Sequence, residues 1–221
     1  MDERAELLRK EYDQRFRDKE DYRNGVWRVL CSEYFSQYIS RSATLLDLGA
    51  GWGEFSRNIV AAKKYAMDLN KECGRRLEGI SEFLHQDCST TWPLKDGTLD
   101  VVFTSNFLEH LPDKKSVEAT LDQAFRCLRK GGRIICMGPN IKHVPGAYWD
   151  FWDHFVPITE DSLAEVLRLK DFHIEKKIGR FLPYTMSDGF QPPLIGLSLY
   201  LRLPFVWSLL GKQFLVVGEK R

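Results

Sequence analysis

Apolar and polar positions follow two different periods along this chain. Between residues 2 and 40, apolar side chains recur every three to four positions among many charged ones, which predicts two amphipathic helices divided at Asn24-Gly25. From residue 43 onward, short apolar runs alternate with helical stretches, a pattern typical of parallel strands connected by helices. The pattern therefore predicts an α/β fold with a doubly wound sheet, preceded by two helices.

The apolar runs also give the order of the predicted elements. Strands are predicted at 43–48, 65–68, 82–86, 99–104, 133–137, 173–178 and 213–217. Helices are predicted at 54–62, 70–78, 115–129 and 161–169, the last of them with Thr159 as its N-cap. We expect N-terminal helices at 1–40 that cover the binding site of one domain at 41–221, which carries an aromatic insert at about 139–159 and an apolar insert at about 183–210.

Composition and charge narrow the class of protein. The chain has 221 residues and 43% hydrophobic content, enough for one well-buried domain with additions. Its 32 basic and 31 acidic residues nearly cancel, so no electrostatically driven nucleic-acid binding is expected. Five cysteines without a C-x-x-C pair and a charged N-terminus predict a cytoplasmic protein with reduced thiols. The apolar stretch 194–210 contains Arg202 and Pro204, so no transmembrane span is expected.

The turn after the first predicted strand carries the clearest chemical signal. Asp47 precedes three glycines at alternate positions, Gly49, Gly51 and Gly53, and a helix is predicted to follow. Glycine can adopt positive φ and lets a ligand approach the backbone, while a helix N-terminus presents free N–H groups to negative charge. A dinucleotide fingerprint would place the third glycine one residue later. The spacing therefore indicates a nucleotide-type cofactor of another class.

This G-x-G-x-G turn behind Asp47 resembles motif I of the class I S-adenosylmethionine (SAM) dependent methyltransferases. The run from Ser105 to Leu111 resembles the segment after their motif IV, and Gly131-Gly132 resembles the turn before their fifth strand, with Lys130 in place of the usual proline. The resemblance covers about 42–138. It implies a mostly parallel seven-stranded sheet of order 3-2-1-4-5-7-6 with the last strand antiparallel, and a cofactor and substrate that meet beyond strands one and four.

The same resemblance implies the cofactor SAM, the product S-adenosylhomocysteine and a set of contacts. Asp68 ends the second strand, where it would accept both ribose hydroxyls, although an Asp in this place is as often a helix cap. Asp87 would accept the adenine amino group, and the N–H of Cys88 would donate to the ring. The residues expected to contact the cofactor are Asp47, Gly49, Ala50, Gly51, Asp68, Leu69, Asp87, Cys88, Ser105 and Asn106.

Two histidines are the candidates for catalysis. His154 lies in the aromatic insert and is expected to accept a proton from the acceptor while Asp153 or another nearby carboxylate holds it. His110 is the second candidate, although Glu109 and His110 could equally cap and pack the loop that follows them. Tyr148, Trp149 and Trp152 are expected to line the acceptor pocket, the alternative being the core of the insert. No carboxylate–histidine spacing demands a metal, so none is expected.

The resemblance implies an enzyme that transfers a methyl group by an SN2 reaction to a small or medium acceptor, preferably a hydroxyl of a sugar-like metabolite. Residues 148–154 and 180–184 are loosely similar to bacterial methyltransferases of sugar and polysaccharide biosynthesis. A lipid or quinone acceptor is an alternative, because 194–210 could form an apolar entrance in peripheral contact with a membrane. A non-catalytic SAM-binding subunit is another, and the oligomeric state is not predicted. A nicotinamide oxidoreductase would share Asp68 but prefers G-x-G-x-x-G.

Overall fold

The first element of the described residues is a helix that the sequence pattern divides but the structure does not. The computed structural model describes residues 20–184 and 191–221, so the helix predicted near 2–22 lies almost wholly outside the described residues. Helix α1 (Glu20–Glu33) runs through Asn24-Gly25, and the predicted break there was wrong. A Cβ on Gly25 would lie 2.7 Å from Cδ1 of Leu194, so the glycine lets another helix pack closely against α1.

Three parallel strands and two short helices follow α1. They are β1 (Thr44–Leu48), α2 (Glu54–Asn58), β2 (Lys63–Asp68), α3 (Lys71–Arg76) and β3 (Glu82–His85). In the ladder, Thr44 is opposite Lys63, and Tyr65 of β2 is opposite Glu82. The leucines of β1 are fully buried, as expected for a parallel strand that is covered on both faces. These residues, together with 191–201, form one compact unit.

The remaining elements belong mainly to a second compact unit, formed by 88–184 and 202–221 among the described residues. They are β4 (Leu99–Ser105), α4 (Lys114–Cys127), β5 (Leu128–Pro139), α5 (Glu160–Leu169), β6 (Phe172–Ile178), α6 (Leu194–Leu201), α7 (Pro204–Leu210) and β7 (Gln213–Lys220), of which only α6 lies in the first unit. Strand β7 is antiparallel to both β5 and β6. The predicted N-cap of α5 is confirmed, because Oγ1 of Thr159 accepts from Ser162 N at 3.0 Å.

Strand β5 starts five residues earlier than the pattern predicts, at Leu128, which is opposite Leu99 of β4. Pairing then shifts so that Val101 is opposite Arg133. Gly131 allows this irregularity because its φ is 75°. Gly131 and Gly132 therefore lie inside β5 rather than in a turn before it.

The seven strands form one sheet in the order β3-β2-β1-β4-β5-β7-β6, which confirms the predicted fold class. The predicted boundary near residue 40 is not a boundary between the two compact units, and the prediction that the helices of 1–40 cover the cofactor site stays a prediction.

The predicted apolar insert contains two short helices, α6 and α7. Ile195 and Leu199 of α6 are exposed, as are Phe205 and Leu209 of α7. No helix among the described residues has the length and apolar character needed to cross a lipid bilayer. The apolar entrance at a membrane surface stays a prediction.

Candidate active site

The glycine turn after β1 has the backbone conformation that only glycine adopts easily. Gly49, Gly51 and Gly53 have φ values of 70°, 56° and 79°. The N–H groups of Gly49 and Ala50 both donate to the carbonyl oxygen of Met67 in β2, at 2.9 and 3.2 Å. The turn is thereby fixed to the end of the neighbouring strand, and Gly53 serves as the N-cap of α2.

Asp68, the last residue of β2, holds the same turn from the side. Its Oδ2 accepts from the N–H of Gly51 at 2.9 Å, and its Oδ1 accepts from the N–H of Asn70 at 2.8 Å. Burial raises the pKa of Asp68, while these backbone hydrogen bonds act in the opposite direction. The N-cap of α3 is Asn70, whose side chain accepts from the N–H of Glu72, so the helix-cap interpretation of Asp68 was wrong. The contact of Asp68 with the ribose stays a prediction.

Asp47 lies beneath the turn and is almost fully buried. Its Oδ2 accepts a hydrogen bond of 2.7 Å from Oγ of Ser56 in α2. Burial raises the pKa of Asp47 to about 7, and the nearby Asp68 and Glu54 carboxylates add to the rise against the Ser56 hydrogen bond. In the structure, Asp47 binds the α2 residue Ser56 and so fixes α2 to the end of β1. Its contact with the cofactor stays a prediction.

The other residues expected at the cofactor fall in both compact units. In the first unit, the carbonyl oxygen of Leu69 accepts from Nε2 of His85 at 3.0 Å, and Asp87 follows β3 by two residues. In the second unit, Cys88 is buried and its carbonyl oxygen accepts from the indole of Trp92 at 2.8 Å. These contacts fix the loops after β2 and β3.

The end of β4 carries Ser105 and Asn106. Asn106 has a φ of 49°, a left-handed conformation that asparagine tolerates better than most residues. Its N–H donates to Met137 O of β5 at 2.9 Å, and its side chain donates to Oγ of Ser105 at 2.9 Å. This bend leads the chain directly into the single helical turn Leu108–His110.

Glu109, His110 and His154 form a compact cluster in the second unit. One ligand-type atom of each residue lies within 4.8 Å of the others. Glu109 is 2% exposed and His154 is 6% exposed. The backbone holds the two segments together, because the carbonyl oxygen of Glu109 accepts from the N–H groups of Phe155 and Val156 at 2.8 and 3.1 Å.

Asp153 contacts His110 through both its side chain and its backbone. Its Oδ2 lies 3.1 Å from Nδ1 of His110, and its carbonyl oxygen lies 3.0 Å from the same nitrogen. Burial lowers the pKa of His110, but the hydrogen bond to Asp153 and the charges of Glu109 and Asp153 outweigh it, so the pKa is raised. The sequence favours Asp153 as a partner of His154, and the contact of Asp153 with His110 was not foreseen.

The predicted pocket aromatics are in different environments. Tyr148 is fully buried, donates its hydroxyl to the carbonyl oxygen of Val156 and packs against the His154 ring at 4.7 Å. Trp149 and Trp152 are 54% and 84% exposed. Tyr148 thus belongs to the core of the aromatic insert, while the two tryptophans face solvent. Their role in acceptor binding stays a prediction.

Comparison with known proteins relates these features to a family. A family model described as a methyltransferase domain matches residues 19–177. The chain belongs to this methyltransferase family. The demethylmenaquinone methyltransferase of Symbiobacterium thermophilum is 23% identical to it over 215 residues, which cover 89% of this chain and 84% of the relative.

Solved structures show that the methyltransferase has a known fold. A SAM-dependent methyltransferase from Archaeoglobus fulgidus is similar with a TM-score of 0.69 and 18% identity, over 93% of this chain and 99% of that one. A Haloferax volcanii methyltransferase, solved in complex with the activator Trm112, gives a TM-score of 0.67 and 17% identity, over 100% and 98% of the two chains. At such identities the likeness concerns the fold.

Residues of α1 also contact the glycine turn of the methyltransferase, which the sequence pattern did not show. Nη2 of Arg23 lies 2.9 Å from the buried carboxylate of Glu54, and the guanidinium carbon of Arg23 lies 5.8 Å from the centroid of the Trp52 ring. The helix pattern places Arg23 on α1 but contains no sign of a buried partner. The only available signal was Glu54, an acid placed directly after the glycines.

Proposed function

We propose that this methyltransferase transfers the methyl group of SAM to a hydroxyl oxygen of a small or medium acceptor. The observation that carries the acceptor part is the buried cluster of Glu109, His110 and His154. The family match supports methyl transfer. SAM is named for the Archaeoglobus fulgidus neighbour, and the glycine turn of the present chain is the feature that would bind it.

The cofactor part of the proposal rests on the turn held by Asp68. The N–H of Gly51 is already engaged by Oδ2 of Asp68, which leaves the second lone pair of each carboxylate oxygen for the ribose hydroxyls. Gly49 and Gly51 are favoured by their positive φ values, and because glycine has no side chain, the space next to this backbone is left for a ligand. These two features support the binding of a ribose and its attached chain beside the turn.

The acceptor part follows from the chemistry of the methyl group. A sulfonium methyl is already activated, so the transfer mainly needs a nucleophile held in line with a free lone pair. A hydroxyl must also lose its proton, whereas a free amine needs only positioning. A buried cluster with two imidazoles and a carboxylate suits an acceptor that must lose a proton. We expect His154 to be essential for that step, with Asp153 keeping the neighbouring His110 in place.

A quinone-type acceptor is the second candidate, because one relative is a demethylmenaquinone methyltransferase at 23% identity. A SAM-binding subunit without turnover is the remaining alternative. Both are decided by the same experiment.

The experiment is a methyl-transfer screen with isotopically labelled SAM over hydroxylated sugars, quinones, lipids and amines. We expect label transfer to a hydroxylated acceptor and its loss in His154→Ala, with His173→Ala as a matched control on the exposed strand β6. Transfer to amines alone would contradict the role of the cluster. SAM binding without transfer to any class would favour the non-catalytic subunit, and stabilisation by NAD in place of SAM would overturn the proposal.

A further inference from the structure

The cluster of Glu109, His110 and His154 has a composition that goes beyond proton transfer. Its three side chains come from two segments 44 positions apart, and their ligand-type atoms lie within 4.8 Å of one another. The His110 and His154 rings face each other edge to face, with centroids 4.8 Å apart. Two imidazole nitrogens and one carboxylate oxygen are a donor set that divalent transition metals prefer.

Glu109 provides a second, independent observation. Glu109 is 2% exposed, and its Oε1 is buried and accepts no hydrogen bond from the described part of the chain. A buried carboxylate oxygen without a partner is unfavourable, since it has lost its water and gained no replacement. A cation placed between this oxygen and the two imidazoles would supply the missing partner.

The contacts of His110 with Asp153 assign the roles of its two ring nitrogens. Its Nδ1 lies 3.1 Å from the carboxylate of Asp153 and 3.0 Å from the carbonyl oxygen of the same residue, so this nitrogen carries the proton. The other ring nitrogen, Nε2, is then the atom that has a lone pair to offer. A carboxylate that holds the far side of the ring is the usual outer partner of a metal-bound histidine.

We propose that Glu109, His110 and His154 bind one divalent transition-metal ion, and that the acceptor binds to this ion through oxygen. Three protein ligands leave at least one coordination position open for an exchangeable oxygen ligand. Atoms about 2.1 Å from a tetrahedral ion lie roughly 3.4 Å apart, so the widest pair must approach by about 1.4 Å, which side-chain rotation can provide. Mg²⁺ and Ca²⁺ are disfavoured because they prefer oxygen ligands.

The second half of this inference rests on the proposed function and refines its substrate class. An ion with open positions would select an acceptor whose hydroxyl has a neighbouring oxygen, such as a vicinal diol, because both oxygens can then bind. The ion lowers the pKa of the bound hydroxyl, whose proton leaves to water. The resulting oxyanion forms the new O–CH3 bond while the C–S bond of SAM breaks and its electron pair stays on sulfur. His154 then acts as a ligand and not as a base.

The metal site is tested without reference to turnover. The full chain is stripped with a chelator and titrated calorimetrically with Zn²⁺, and the absorption spectrum of its Co²⁺ form reports the ligands. We expect one ion per chain in the wild type, a loss on the order of a hundredfold or more in Glu109→Gln and His154→Ala, and a loss of about 10–100-fold in Asp153→Asn. His173→Ala, an exposed histidine of β6, should bind as the wild type does.

Outcomes of this titration separate the two proposals. No stoichiometric Zn²⁺ binding, an unchanged Co²⁺ spectrum in folded Glu109→Gln, or Mg²⁺ binding as tight as Zn²⁺ binding would overturn the metal site. Circular dichroism identifies any variant that fails to fold, and Glu109→Gln preserves the shape of the buried side chain. SAM is titrated into the same stripped samples. Binding of SAM without binding of Zn²⁺ would overturn the metal site and leave the proposed function. Binding of Zn²⁺ without binding of SAM would overturn the proposed function and the acceptor half of this inference, and leave the metal site.

Discussion

Replacement of Asp68 tests whether one carboxylate serves both the glycine turn and the cofactor. The side chain accepts hydrogen bonds from the N–H groups of Gly51 and Asn70, at 2.9 and 2.8 Å. Hydrogen bonds to a charged group contribute about 1.5–3 kcal/mol each, so Asp68→Ala would lose about 3–6 kcal/mol if the two add. Burial raises the pKa of Asp68, which means that the carboxylate carries a desolvation cost and that the net loss lies at the lower end.

That loss matters because a domain is stable by only about 5–15 kcal/mol. Asp68→Ala is therefore expected to unfold at a clearly lower temperature, and a binding defect in this variant alone would be ambiguous. Asp68→Asn separates the two effects, since its amide oxygen still accepts one of the backbone N–H groups. Asp122→Asn, at an exposed carboxylate of α4, is the matched control.

Calorimetric titration with SAM and with S-adenosylhomocysteine, beside thermal denaturation followed by circular dichroism, measures both effects. We expect Asp68→Asn to bind both ligands at least about tenfold more weakly, because the amide oxygen, which still accepts from one backbone N–H, has one lone pair left for two ribose hydroxyls. Both ligands carry the same ribose. A folded Asp68→Asn that binds SAM with wild-type affinity would refute the assignment. A loss of affinity for SAM but not for S-adenosylhomocysteine would assign the effect of the substitution to the methyl group.

Three further predictions concern the same two sites. Gly51→Val should abolish SAM binding while the sheet keeps its circular dichroism, because a β-branched residue is strained at a φ of 56°; a variant that titrates normally with SAM would show that the turn faces elsewhere. His154→Ala should lower turnover by about a hundredfold or more with SAM affinity almost intact, and near-full turnover would shift the role to His110 or to positioning alone. Burial raises the pKa of Asp47 to about 7, compared with about 3.9 in an unfolded chain, so the folded protein keeps a proton that the unfolded chain releases. The free energy of unfolding should then fall as the pH rises from about 4 to about 7, and Asp47→Asn should flatten this slope in denaturant titrations; equal slopes would assign the effect to another group.

The strand order and the glycine turn could be predicted because each depends on a short stretch of sequence. Strand β1, the turn at Gly49 and the acid Asp68 at the end of β2 follow one another within about 25 residues, and their spacing is typical of one fold family. The predicted ends of most elements differ by only a few residues from those observed, as is usual at frayed termini.

What the sequence could not show depends on distant contacts. The Asn24-Gly25 pair predicts a helix break from local sequence, yet Gly25 lies inside α1. Leu194, far along the chain, packs where a side chain at position 25 would be, and a local pattern cannot show such a contact. Asp153 is adjacent to His154 in sequence but lies against His110, which is 43 positions away. No spacing rule indicates the burial of Glu109, although its position beside His110 was a visible signal. The cluster therefore became apparent only from the folded chain.

The antiparallel strand β7 has a consequence for the order of events during synthesis. It lies between β5 and β6 and pairs with both, although about 74 residues separate the end of β5 from the start of β7. At about 5–20 residues per second, a ribosome needs roughly 4–15 s to supply the missing strand. Ile134 and Ile135 of β5 are buried in the folded protein. During that interval β5 has one unpaired edge, and such an edge can pair with strands of other chains. The nascent second unit is therefore most exposed to aggregation between the emergence of β5 and that of β7.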